Sequence, residues 1–174
     1  MIRPLLIASA ASLALAGCAT DGDMAPSASA AGDMTPNQRS AYVEMAAASD
    51  LYEIQSSQLA TTRAQNPDVR AFAQMLIEHH SATTQQLTAA ATAAGTPPNP
   101  RLMPMQTAMI AELQGANGAA FDRIFIRQQV QAHQMALALH SNYASNGDTP
   151  TLRTVAAAAA PIVRQHLERA RSLR

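Results

Sequence analysis

"GTPPNPRLMP", residues 95–104, decides how the rest of the chain is read. Three of its prolines would each remove a backbone donor and clash with the preceding turn, so the stretch cannot be helical throughout. On both sides of it, apolar residues recur at steps of three and four, the period of one buried helix face. The stretch is therefore a long crossover between two helical halves and not a tight turn.

Upstream, Thr35 as N-cap, Pro36 at the first helical position and Gln38 as the partner of a capping box predict a helix running to about Ala64. Met45, Tyr52 and Leu59, with Ala41 and Ala48 beside them, mark its buried stripe. Asn66-Pro67-Asp68 starts a second helix carrying Val69, Phe72, Leu76, His79, Thr83, Leu87 and Ala90 on one face, and Gly95 stops it. Downstream, a short helix is expected around Met105 to Leu113, ended by "QGANG". The third major helix is expected from about Ala119 to Ser145. The last follows Thr149-Pro150, with a kink at Pro161. Four long helices, no strand pattern and one long crossover between the second and third predict an all-α, ferritin-like four-helix bundle with a short extra helix.

The chain has 174 residues, 48% of them hydrophobic, enough for one domain with a single core. Lys+Arg and Asp+Glu number 12 each, so the charge balance does not point to nucleic acid as a partner. The first residues, "MIRPLLIASAASLALAGC", combine a basic start at Arg3, an apolar run from Leu5 to Ala16 and small residues before a cysteine, the pattern of an export signal. The run falls short of the ~20 apolar residues a spanning helix needs. Leu15-Ala16-Gly17-Cys18 resembles the lipobox read by bacterial lipoprotein signal peptidase, which implies a signal peptide over 1–17 and a lipidated Cys18. Cys18 is the only cysteine, and acylation gives an otherwise unpaired thiol a use. Ala19 is not the aspartate that favours inner-membrane retention, so the expected location is the outer membrane, with the domain facing the periplasm. Residues 18–35 then read as lipidated cysteine plus flexible tether, and 36–174 as the bundle domain.

His79, His133 and His166 each fall on the apolar stripe of a different helix, near its middle, and Glu53 occupies the middle of the first helix among small neighbours. Isolated buried charge costs several kcal/mol and demands partners. Two arrangements meet that demand: a metal held by Glu53, His79, His133 and His166, or a metal-free polar network fixing the register of the helices. Di-iron bundles need paired Glu-x-x-His motifs, whereas Leu76, Val130 and Val163 stand three residues before the three histidines. An imidazole-rich, oxygen-poor set suits zinc or copper better than iron. Glu78 is expected to be solvated, and His80 and His140 to be surface or hydrogen-bonded histidines flanking the core. The methionines read as core filler. No hydrolase or phosphate-loop motif occurs.

Four blocks in order resemble a known family. "DLYEIQSSQLA" from Asp50, "FAQMLIEHHSATTQQLTAAATAAG" from Phe72, "FDRIFIRQQVQAH" from Phe121 and "APIVRQHLERA" from Ala160 are similar to the segments of the bacterial domain of unknown function 4142, a ferritin-like family of exported proteins. The resemblance spans roughly Pro36 to Leu173 and implies that Glu53, His79, His133 and His166 are recurrent polar positions. Glu78 stands where Asp is usual, Phe125 where Tyr is usual, and Ala160 where Leu is usual. The expected function is an envelope lipoprotein binding a transition metal. The alternative is a metal-free structural or interaction module, and a metal oxidoreductase is a third reading.

Overall fold

The computed structural model describes residues 36–174. The expected signal segment 1–17, Cys18, the expected tether to residue 35 and the expected cap Thr35 lie outside the described residues. Five helices follow one another: α1 (Arg39–Arg63), α2 (Pro67–Ala93), α3 (Pro104–Gln114), α4 (Gly118–Asn146) and α5 (Pro150–Ser172). Every regular element among the described residues is a helix, and none of these helices is long and apolar enough to cross a membrane.

The four long helices form an antiparallel bundle in which α1 packs on α2 and α4, and α5 on α4 and α2. The crossover from 94 to 103, continued by α3, carries the chain from one end of the bundle to the other, and α3 rests against α1 and α4. Gly95 ends α2 at φ +73°, with Thr96 N–H donating to the Ala91 carbonyl, which is the left-handed stop expected there. Helix α5 continues through Pro161.

The first helix starts three residues later than the Thr35-Pro36 signal implies, with Gln38 as an N-cap that makes no side-chain cap bond. The cap comes from elsewhere: Asp148, in the turn after α4, accepts the Arg39 N–H (3.2 Å). A carboxylate at a helix N-terminus also meets the positive end of the helix dipole. At the opposite end, Asp122 of α4 accepts the backbone N–H groups of Gln65 (3.0 Å) and Asn66 (2.9 Å) in the α1–α2 turn. Asp122→Ala strands two donors in a half-buried turn and is expected to cost about 2–4 kcal/mol, read as a lowered denaturant midpoint. An unchanged midpoint would mean that water replaces the carboxylate.

Gly147 closes α4 so tightly that a Cβ there would lie 2.5 Å from Tyr143 Cε1 and 2.6 Å from its carbonyl oxygen. Tyr143 is itself stacked on Tyr42, with ring centroids 3.8 Å apart. Gly147→Ala is therefore expected to destabilise by about 1–3 kcal/mol through overpacking.

The core is not continuous. One apolar cluster, including Phe72, Leu76, Phe121, Phe125 and Leu167, fills the end near the α1–α2 turn, and another, including Tyr42, Val43, Leu87, Leu139 and Leu152, fills the far end. Between them every long helix contributes buried polar side chains: Asp50 and Glu53, His80, Gln129 and His133, and His166. The expected stripe on α1 is displaced from this centre: Tyr52 belongs to a separate cluster with Met109 and Ile110 beneath α3. Helix α1 thus buries two faces, one on the bundle axis and one under the crossover.

Candidate metal centre

Helix α2 reaches the polar layer by steps of four, from Phe72 through Leu76 to His80, and His80 is 4% exposed. His133 and His166 arrive from α4 and α5 at 0% and 2% exposure. The three rings face one another with centroids 5.3–5.7 Å apart. One ring nitrogen of each lies within 4.8 Å of one from each of the others.

The hydrogen bonds fix which nitrogen each ring leaves free. His80 Nδ1 donates to Asp50 Oδ1 (2.8 Å). His133 Nδ1 donates to the Gln129 carbonyl (2.8 Å). His166 Nε2 pairs with His79 Nδ1 (2.8 Å). The nitrogens left, His80 Nε2, His133 Nε2 and His166 Nδ1, are buried and have no hydrogen-bond partner, as is Glu53 Oε2. An imidazole that donates through one nitrogen presents a lone pair at the other. With His80 neutral and His166 Nε2 donating to His79 Nδ1, three lone pairs face one another in one buried layer, which is an arrangement that ligates a cation. The outward bonds to a carboxylate and a backbone carbonyl are those that orient metal-binding histidines.

Charge states at His133 and His166 agree with this geometry, whereas His80, when protonated, must give up its Nε2 proton before it can ligate. Burial, reinforced by the positive charge of His80, lowers His133 to about 3 and pulls His166 down as well. Both are therefore neutral near pH 7, as ligation requires. Burial pushes Glu53 up to about 7, and the nearby His80 opposes the rise. Burial would lower His80, but its hydrogen bond to Asp50 and the charge of that carboxylate outweigh burial and raise it. Thr83 and Thr84 hydroxyls donate to the other Asp50 oxygen (3.0 and 3.1 Å), so Asp50 is committed to α2.

The residues expected from the sequence fall into two groups. His133 and His166 meet in the layer; Glu53 is buried beside them, its Oε1 3.7 Å from the outer nitrogen Nδ1 of His133, and it lies outside the group of three whose nitrogens approach within 4.8 Å. His79 is half-buried, stacked on His166 (centroids 5.1 Å apart) and bonded to its outer nitrogen. The inward imidazole on α2 is His80, expected at the flank of the core, and not His79, whose Nδ1 meets the outer nitrogen of His166. His140 is buried and bonded to the Tyr42 hydroxyl (3.1 Å), and Glu78 is exposed, as expected. Asp50, the partner of His80, was not among the residues expected from the sequence. Its signal was its place one turn before Glu53 on the same face of α1. His79→Ala is expected to weaken metal binding by about tenfold, against loss of binding in His80→Ala, since it removes an orienting contact and not a ligand. Equal loss in both, measured by metal titration, would return His79 to the ligand set.

The fold and this layer define a class: an antiparallel helical bundle with a buried histidine cluster between two apolar ends. The chain belongs to the family described as Domain of unknown function (DUF4142), whose model matches residues 23–173. No curated protein matches. Among solved structures, the chain is similar to CopM in the Cu(II)-bound form, with 20% identity, a TM-score of 0.66, and coverage of 78% of this chain and 94% of that one. CopM in the apo form gives 19% identity and a TM-score of 0.63, with coverage of 78% and 94%. A DUF305 fragment from Deinococcus radiodurans gives 18% identity and a TM-score of 0.69, covering 80% of this chain and 96% of that one.

Proposed function

We propose that this protein is an envelope lipoprotein that binds a transition-metal ion at His80, His133 and His166, with the buried Glu53 carboxyl beside them. The observation that carries the reading is the set of three buried imidazole nitrogens, each without a hydrogen-bond partner and each on a ring held from behind. A metal-free network leaves these atoms and Glu53 Oε2 stranded, at about 1–3 kcal/mol each. Three imidazoles suit Cu(II) and Zn(II), and of the two Cu(II) binds such sites more tightly. The likeness to a fold described with bound Cu(II), Cu(I) and Ag supports copper as the first metal to test. The lipobox-like Leu15-Ala16-Gly17-Cys18 supports anchoring at the outer membrane with the bundle in the periplasm.

The test is thermal unfolding of the protein from Ala19 onward, stripped of metal and then given Cu(II) or Zn(II). An ion that binds only the folded state, at 100 times its dissociation constant, adds about 2.7 kcal/mol and raises the midpoint. That rise should vanish in His80→Ala and survive in His140→Ala. No rise with either metal would favour the structural or interaction module.

A further inference from the structure

A second chemistry lies on the other face of α1. A groove of about 420 Å³ between α1, α3 and α4 is lined by Met45, Met103, Met105, Met109 and Met135. These are five of the six methionines among the described residues, the sixth being Met75. Met105 and Met135, 44% and 43% exposed, are the large hydrophobic residues left open to solvent, and both line this groove.

Burial alone does not account for the choice. Leucine fills such positions with better-defined rotamers, and this chain uses leucine freely in its core. What methionine adds is a soft, polarizable thioether. The groove's side-chain oxygens are few: the Tyr52 hydroxyl, which donates to Gln128 Oε1 (2.9 Å), Gln106 Oε1, which accepts the Met103 N–H (2.9 Å), and the Ser49 hydroxyl. A hard, strongly hydrated cation would lose its water there without replacement. Thioethers select soft monovalent ions.

We propose that the methionine groove is a second metal site, separate from the histidine layer, that takes Cu(I) through sulfurs drawn from Met45, Met103, Met105, Met109 and Met135, with Ag(I) as its redox-inert substitute. The site shares no ligand with the histidine layer, so it stands or falls independently of the function proposed above. Helix α3 brings two of the sulfurs, Met105 and Met109, and the end of the crossover brings Met103, which gives the short helix a role beyond covering α1.

The experiment follows the methionine methyl resonances of the full chain in detergent, labelled with carbon-13 at the methionine methyls, as silver nitrate is added in chloride-free buffer. The five groove resonances should shift and that of Met75 should not. Met105→Leu with Met135→Leu, a volume-conserving change, should retain the unfolding midpoint and weaken silver binding by about tenfold or more. His133→Ala should leave the shifts in place. Resonances that stay put through several equivalents, silver binding unchanged in the leucine variant, or shifts abolished by His133→Ala would each overturn the proposal. So would groove methyls that respond to an apolar peptide but not to silver, since the groove would then be a docking surface.

Discussion

Lowering the pH from 6.5 toward 4 is expected to unfold the metal-free protein, and its buried histidines are the cause. His133 (to about 3), His140 (to about 4) and His166 are all lowered from the ordinary value of 6.5, chiefly by burial. A group depressed in the folded state contributes stability above its unfolded pKa, and that stability is lost as pH falls and the unfolded chain takes up the proton. Glu53, raised to about 7 by burial, acts with the opposite sign between its ordinary 4.5 and 7, where folding favours its protonated form. His80 is raised, so its contribution is already fully present below 6.5. Three histidines against one carboxyl leave a net two protons, or about 3 kcal/mol per pH unit below 6.5. A domain with ordinary stability of about 5–15 kcal/mol does not survive long on that slope. Far-UV circular dichroism against pH, with metal removed, checks this. A flat signal from 6.5 to 4.5 would mean that the histidines are solvated or charged in solution.

Replacing His133 and His166 together by Leu is expected to remove both the acid sensitivity and the metal. Leucine fills a similar volume, and the layer loses two orphaned nitrogens. His80 is kept so that Asp50 retains its partner. With two of the three acid-labile histidines gone, His140 and Glu53 nearly cancel. The variant should be more stable than the unsubstituted chain at pH 5 by about 4 kcal/mol. It should also show no rise in midpoint with Cu(II) or Zn(II). A protein destabilised at pH 5, yet still stabilised by metal, would place the ligands elsewhere. The trade of stability for a binding layer is the pattern expected where polar groups are buried for function.

Much of this architecture is legible in the residues. Prolines 97, 98 and 100 forced the crossover, Asn66-Pro67 opened α2 with the Asn66 side chain accepting the Asp68 N–H, and Gly95 closed it. What stayed hidden depends on partners distant in sequence. The start of α1 moved because its cap, Asp148, comes from beyond α4. The choice between His79 and His80 could not be made from period alone, since after Leu76 both a step of three and a step of four stay on one helix face. Tertiary packing decided it: Asp50 on α1 receives His80, and His79 is left to brace His166. The methionine groove was invisible for the same reason, its five sulfurs being spread from residue 45 to residue 135 with no local repeat.

The two aspartates flanking the body of α4 make that helix a caliper. Asp122 and Asp148 are 26 residues apart, and so are Arg39 and Gln65, the backbone groups they grip at either end of α1. The jaws match the workpiece. A single-residue deletion inside α1 or α4 therefore cannot be absorbed by sliding, because whichever jaw stays closed pulls the other open. Matched deletions, one in each helix on the same side of the histidine layer, would shorten both together and let the two jaws close again.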